Sequence, residues 1–281
     1  MSSNGGQDPV VTIVLPTHSR PYSLPRAIES AIAQSLTAWE MIVIDDASTD
    51  ATAEILREFA AKDARIRVVR NEKSQFKEFG IAHLLNRGIE LARGKYIARL
   101  DDDDYWIDPD KLKMQVEYLD AHPKCVIVGS GVIVIDAEGK ERFRYLKKTT
   151  DAEIRRSALS ANPFSHTTVM FRKDVAQAVG AYQARHIEDW DLWLRMGLKG
   201  EFYNLPKYLT AYTMTDDNAS FKNQRELSRL ILGLVVRNRG KYPGFVRGYV
   251  LNFAQYLFAC LPMGVRSSLH ASLVKIKRKA L

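Results

Sequence analysis

Four short apolar runs separate helix-like stretches in the first hundred residues, and their spacing leaves little choice of architecture. Val10 to Leu15 (VVTIVL) is a continuous apolar run stopped by Pro16, as expected of a strand buried on both faces. Ser23 and Pro25 then open a helix, with Ser23 as its cap and Leu24, Ala27, Ile28, Ala31 and Ile32 as its apolar stripe. Met41 to Ile44 reads as the second strand. Ser48-Thr49-Asp50 supplies caps for a helix carrying Ile55, Leu56 and Phe59, and Ile66 to Val69 reads as the third strand. A helix over 78–92, ended by Gly94, leads to a fourth strand from Tyr96 to Leu100. Loops of a few residues between these segments predict a mostly parallel α/β sheet with helices on both faces. Ligands of such sheets lie beyond the carboxyl ends of the strands.

Regularity loosens after Leu100. The pattern predicts a helix over 108–121 and a long strand from Cys125 to Ile135 closed by the turn Asp136-Ala137-Glu138-Gly139. Thr150 with Glu153 forms a capping-box pattern. His166 to Phe171 reads as a strand and Glu188 to Leu198 as a helix stopped by Gly200. Helices follow Ala219, broken near Pro243 and again at Pro262. The expected division is a flexible start over 1–9, an α/β domain over 10–218 and a helical region over 219–281.

Composition excludes several classes. A chain of 281 residues, 46% hydrophobic and 26% charged, is neither disordered nor collagen-like. Two cysteines, Cys125 and Cys260, build neither a disulfide framework nor a Cys-rich zinc site. The first residues (MSSNGGQDPV) lack a basic start followed by an apolar core, so no signal peptide is expected. The longest apolar candidate for a span, Tyr249 to Leu261, is interrupted by Asn252 and Gln255, and no stretch reaches the ~20 apolar residues needed. The net charge of +8 is unevenly placed: residues 222–281 hold 12 Lys and Arg against Glu226, leaving 29 basic and 32 acidic residues elsewhere. Basic and aromatic side chains on helices suit either a cap with a solvated basic face or peripheral contact with an anionic membrane. No nucleic-acid partner is expected.

Acids crowd the ends of the predicted strands. The second strand runs into Asp45-Asp46, the fourth into Asp101-Asp102-Asp103-Asp104, and the helix near residue 190 opens with Glu188-Asp189 and Asp191. Adjacent carboxylates without a cation repel one another and have raised pKa values. Oxygen donors on a tight turn suit Mn²⁺ or Mg²⁺, which keep substrate phosphates and water among their ligands. Asp108 and Asp110 read instead as acids at a helix start. Other phosphate-binding devices are missing. Pro16-Thr17-His18 follows the first strand where a glycine-rich turn would stand, and Gly129-Ser130-Gly131 lacks the third glycine of a dinucleotide fingerprint. A calcium loop counted from Asp101 would need glycine where Trp106 stands. In phosphatases that form an aspartyl phosphate, Thr or Val follows where Tyr105 or Trp106 stands here.

Three linked runs, VTIVLPTHSRPYSLPRAIESAIAQSLTAWEMIVIDDASTDAT, ARGKYIARLDDDDYWIDPDKL and HIEDWDLWLRM, carry a resemblance to the family-2 glycosyltransferases with the GT-A fold, over roughly residues 10–215. The resemblance implies a nucleotide-sugar-binding α/β domain, a divalent metal (Mn²⁺ or Mg²⁺) and inversion at the anomeric carbon. It places Pro16, Thr17, His18 and Arg20 against the nucleotide base and phosphate, and Asp45 and Asp46 at the base and ribose, with Asp46 meeting a uracil-type imide. Arg70 and Lys77 are expected at the diphosphate or base, Asp103 on the metal, and Asp101 or Asp102 on the ribose or a metal-bound water, Asp101 counting also as a metal ligand. Asp189 matches the general base, with Glu188 and Asp191 as acidic neighbours and His166 and Trp190 toward the acceptor. Trp106, Trp190 and Trp193 fit either sugar stacking or core packing.

One departure bears on the metal. Relatives carry a His near the position of Tyr212, but here the run is Tyr212-Thr213-Met214-Thr215-Asp216-Asp217-Asn218. Either Asp216 or Asp217 supplies a further oxygen, or Asp103, the diphosphate and water hold the ion alone. The processive synthases of the resembled family carry a Gln-x-x-Arg-Trp motif and spanning helices, and neither is found here, so the resemblance implies one sugar per encounter. The implied activity is transfer from a nucleotide sugar, UDP-linked, to a hydroxyl of a glycan or lipid-linked acceptor in surface-polysaccharide or lipopolysaccharide assembly. The implied place is cytoplasmic, peripheral at the inner membrane face. The rivals are a catalytically silent scaffold of the same fold and a sugar nucleotidyltransferase, which would carry a glycine-rich basic loop where PTHSRP stands.

Overall fold

The computed structural model describes residues 8–214 and 224–261. The chain forms two compact units, Met1–Lys147 with Phe164–Met214, and Lys148–Pro163 with Thr215–Leu281. A sixteen-residue excursion, 148–163, groups with the helical unit.

The first unit is built on one sheet. Its elements are β1 (Val11–Thr17), α1 (Leu24–Ile32), β2 (Trp39–Asp45), α2 (Thr52–Lys62), β3 (Ile66–Arg70), α3 (Phe76–Phe79), α4 (Ile81–Leu91), β4 (Tyr96–Arg99), β5 (Tyr105–Trp106), α5 (Lys111–Ala121), β6 (Cys125–Ile135) and β7 (Glu141–Tyr145). After α6 (Asp151–Ser157), which lies in the second unit, come β8 (Met170–Arg172), α7 (Lys173–Ala178), α8 (Glu188–Met196) and β9 (Glu201–Thr213). The strand order is β3-β2-β1-β4-β8-β6-β9-β5, with β7 on β6. β1 to β4 are parallel, as their spacing predicts. β8 is antiparallel to both β4 and β6, β9 is parallel to β6, and β5 and β7 are antiparallel. Six of the nine strands therefore point one way.

Every residue of β1 and β2 is buried, because helices cover both faces. The buried acid Glu40 is held in place. Burial alone would raise its pKa, but bonds from the Arg93 amide (2.7 Å), the Thr12 hydroxyl (2.8 Å) and the Arg93 guanidinium (2.8 Å) outweigh it and leave the group low. Gly88 lets α4 lie on β1: a Cβ there would stand 2.4 Å from Val14 Cγ1.

Several local expectations are corrected. The helix over 78–92 is two pieces, α3 and α4, parted by Gly80 at φ +76°. Gly94 lies past the end of α4, and its amide donates to Thr12 Oγ1 at 2.9 Å. Residues 166–168 form a 3₁₀ turn before β8, because the Thr168 amide and hydroxyl both bond the Ser165 carbonyl (3.0 and 2.7 Å) and compete with strand pairing. Ser23 does not cap α1 with its side chain; its own backbone is already helical. Ala51 stands at the cap of α2, and Asp50 just before it accepts from the Thr52 amide at 3.0 Å; the Thr150–Glu153 capping box forms.

The second unit contains α6, α9 (Gln224–Arg237) and α10 (Phe245–Cys260), with Gly240 and Gly244 at positive φ between the last two. The break near Pro243 is as expected, whereas Pro262 lies outside the described residues. Among the described residues no helix is long and apolar enough to cross a membrane.

Candidate active site

The β2 end builds a rigid wall. Asp45 accepts from the Ser48 amide at 3.0 Å and from Arg70 Nη1 at 2.7 Å, while Arg70 Nη2 reaches the Ser48 carbonyl at 2.6 Å. Asp46 is fully buried and accepts four bonds: from Asn71 Nδ2 and the Gln75 amide (both 2.8 Å), Ser74 Oγ (2.6 Å) and the Phe76 amide (3.1 Å). Burial pushes its pKa up, but these donors together hold it below the usual carboxylate range. The residue expected to meet an imide thus has its acceptors committed to the segment 71–76. The β1 loop is tied to the same wall. The Asp46 amide donates to the Thr17 carbonyl at 2.9 Å, His18 Nδ1 bonds the Asp46 carbonyl at 2.7 Å, and the Ser19 amide donates to Ser48 Oγ at 2.9 Å. Ser19 (φ +53°) and Ala47 (φ +59°) are held left-handed at these two loops, a cost of roughly 1 kcal/mol each. Lys77 is exposed on α3.

The acid loop follows β4. Asp104 is buried and accepts from the Thr213 amide at 2.8 Å, so β9 anchors it. Thr213 Oγ1 also donates to the Asp103 carbonyl. Burial raises Asp102 to about 7, helped by the charge of Asp103 and opposed by the Thr17 hydroxyl and Arg20, whose Nε lies 3.8 Å from Asp102 Oδ1. Burial and then Asp101 raise Asp103 to about 6, and Asp104 is pushed well up by the same causes. Among the described residues no three His, Cys, Asp or Glu side chains are arranged to hold a metal. Desolvated, mutually repelling oxygen donors fit a hard divalent cation bound by one or two carboxylates plus phosphate and water. Asp216 and Asp217 lie outside the described residues.

Behind this loop stands Arg99, fully buried in β4. Its Nη2 pairs with Asp101, its Nη1 donates to the Val14 carbonyl at 2.5 Å and the Leu100 carbonyl at 3.1 Å, and its Nε donates to His166 Nε2 at 3.1 Å. Accepting that bond fixes His166 as the neutral tautomer protonated at Nδ1. Burial, and then the Arg99 charge, hold its pKa well below the usual value. Tyr182 Oη sits 2.8 Å from the same nitrogen. The pair at the start of α8 feels this cluster. Burial raises Glu188 to about 7, with the charges of Asp189 and then Asp101 adding to it and Arg99 opposing. Glu188 Oε2 is buried with no hydrogen-bond partner.

The structure thus brings together Thr17, Arg20, Asp101, Asp102 and Asp103; Arg99 links Asp101 by a hydrogen bond to His166 and by its charge to Glu188, the neighbour of Asp189. It separates others. Asp191 is held by Arg195 at 2.8 Å on its own helix. Trp190, Trp193 and Trp106 are buried in packing, Trp193 among Phe164, His166, Phe171 and Tyr182, so none offers an open stacking face. Arg99, Tyr182 and Thr213 were not foreseen. An arginine inside an apolar strand run, two residues before four acids, is the signal that could have found the first.

A family model described as Glycosyl transferase family 2 matches residues 12–180. The chain belongs to this family. A relative, the amylovoran biosynthesis glycosyltransferase AmsE of Erwinia amylovora, is 30% identical over 92% of this chain and 97% of its own. Among solved structures, the mannosyltransferase PcManGT of Pyrobaculum calidifontis, in complex with GDP-Man and Mn²⁺, superposes with a TM-score of 0.69 at 18% identity, covering 97% of this chain and 83% of that one. S. aureus TarS 1–349 in complex with UDP-GlcNAc superposes with a TM-score of 0.64 at 18% identity, covering 89% and 72%. This family 2 glycosyltransferase shares their GT-A fold.

The Arg99 contacts give a first expected result. Arg99→Lys keeps the charge in this family 2 chain but loses the fork that serves Asp101, two carbonyls and His166. We expect a stability loss of about 2–4 kcal/mol in urea unfolding, from donors no longer supplied to buried acceptors. A loss under ~0.5 kcal/mol would contradict the network described.

Proposed function

We propose that the chain transfers a sugar from a nucleotide sugar, UDP-linked, to a hydroxyl of a glycan or lipid-linked glycan, with inversion, in surface-polysaccharide assembly. The observation that carries this reading is Arg99, paired with Asp101 of the acid loop, while its charge and that of Asp101 both act on Glu188 beside Asp189. Asp189 takes the acceptor hydroxyl proton as the oxygen forms its bond to the anomeric carbon. The bond from that carbon to the phosphate oxygen breaks, and its electron pair leaves with the nucleoside diphosphate. Asp103 with Asp101 would hold a divalent ion, which when bound neutralises charge on the leaving diphosphate. Arg20 lies beside Asp102, at the mouth of the same loop, and offers a cation to the donor phosphates. Arg99 pairs with Asp101 and holds His166 neutral, so one buried cation ties the acid loop to the histidine behind it.

The relatives support the substrate class: AmsE is named for amylovoran biosynthesis, and the two solved neighbours carry nucleotide sugars. The test is release of nucleoside diphosphate from UDP- and GDP-sugars with and without Mn²⁺. Manganese-dependent release from a UDP-sugar is expected. No release from any donor would favour the silent scaffold and overturn the proposal.

A further inference from the structure

α10 is inverted relative to an ordinary surface helix, whose outward face is polar. Its buried positions are Gly248, Asn252 and Ala259. A Cβ on Gly248 would stand 2.6 Å from the Leu159 carbonyl oxygen, and Asn252 Nδ2 donates to that same oxygen at 2.9 Å. Small and polar residues therefore face inward. The outward positions are Val246, Val250, Phe253, Ala254, Leu257 and Cys260, with Arg247 the one charged residue among them. At ~100° per residue they share an arc of about 140°. Val246 is 73% exposed, Val250 58% and Leu257 51%. A contiguous apolar stripe of this kind marks an interaction face.

Charge selects the occupant. Arg237, Arg239 and Lys241 lead into the helix, and residues 222–281 carry 12 Lys and Arg against Glu226 alone. A second copy of the chain would bring the same positive charge to the contact. A surface with negative phosphates above an apolar layer complements both features at once. The helix has 16 residues, about 24 Å, too short to span a bilayer but enough to lie in its interface. We infer that the outward face of α10 docks on an anionic phospholipid surface, with Val246, Val250, Phe253 and Leu257 entering the headgroup–acyl boundary and the flanking basic side chains meeting lipid phosphates. This goes beyond the proposed transfer reaction and does not depend on donor chemistry.

The test is flotation of the full chain with phosphatidylcholine vesicles, with and without phosphatidylglycerol, at low and high salt. Binding to the phosphatidylglycerol vesicles at low salt, weakened by salt, is expected. Val250→Asp with Leu257→Asp should lower the bound fraction at least about tenfold while melting temperature and donor hydrolysis stay unchanged. Lys241→Gln with Arg247→Gln should flatten the salt dependence even if the aspartate pair fails to fold. Three results would overturn the inference. One is wild-type protein left unbound at low salt. Another is equal binding by wild type and the aspartate pair. The third is a dimer in light scattering that the aspartate pair converts to monomer, which would assign the face to a second copy. Donor hydrolysis is read separately, so failure here leaves the transferase proposal standing, and the reverse also holds.

Discussion

Asp189→Asn is expected to lower kcat about 10²–10⁴-fold, the range ordinarily lost with a general base, while donor affinity stays nearly unchanged. Asn keeps the size of the side chain and its carbonyl oxygen, so the bond from the Trp190 amide to Oδ1, 2.6 Å in the wild type, survives. The start of α8 therefore keeps its shape, and the loss reports proton transfer. Glu188→Gln is the informative partner. Glu188 is the group raised to about 7 beside Asp189, and removing it leaves the base in place without its like-charged neighbour. It should retain far more turnover than Asp189→Asn and remove the inflection near pH 7 that Glu188 would contribute to the kcat/KM profile. Equal turnover in Asp189→Asn and wild type would remove Asp189 as base, as would equal losses in the two variants.

The second large effect is a pH-dependent instability of the acid loop. A carboxyl raised in the folded state binds more protons there than in the unfolded chain. Its contribution to stability is then lost as pH rises from the ordinary value toward the folded one. For Asp102, raised from 3.8 to about 7, the interval runs from about pH 4 to 7. His166, held low, acts oppositely below its ordinary value of 6.5, because the unfolded chain binds its proton more readily there. The clean readout is therefore wild type against Asp102→Asn, in which His166 is unchanged. The variant should gain relative stability between pH 5 and pH 8, by up to about 3 kcal/mol in denaturant unfolding. Manganese with UDP should raise the wild-type melting temperature more at pH 8 than at pH 5, since ionised carboxylates bind the ion. A stability difference between wild type and Asp102→Asn that does not change with pH would show that Asp102 is not desolvated as the fold places it.

The first four strands were legible because each is a short apolar run between capped helices, and burial on both faces leaves no other use for such runs. The acid clusters were legible because acids directly after such a run must sit at its carboxyl end. β9 was not legible in the sequence. Pro206 breaks its pattern, and the pairing with β6 jumps from Ser130–Leu205 to Gly131–Tyr208, so the strand bulges where the proline lacks an amide donor. Lys111 was not legible either: a lysine beside two acids at a helix start is ordinarily solvated. It is instead fully buried, with its amine 2.8 Å from Gln115 Oε1 and 4.1 Å from the centre of the Trp106 ring, and burial drives its pKa well down. The partners that make such a residue tolerable come from tertiary packing, which periodicity does not encode. The same holds for Asp46, whose place in the motif was plain while its four donors from 71–76 were not.

The four-donor knot at Asp46 sets where redesign of this protein can succeed. Randomising Asp46 would loosen a whole segment before it changed any preference, so libraries that include it should be dominated by poorly expressed clones. Lys73 on that segment and Lys77 just after it are exposed and take no part in the knot. Diversity placed there can alter what the wall meets while the wall itself stands.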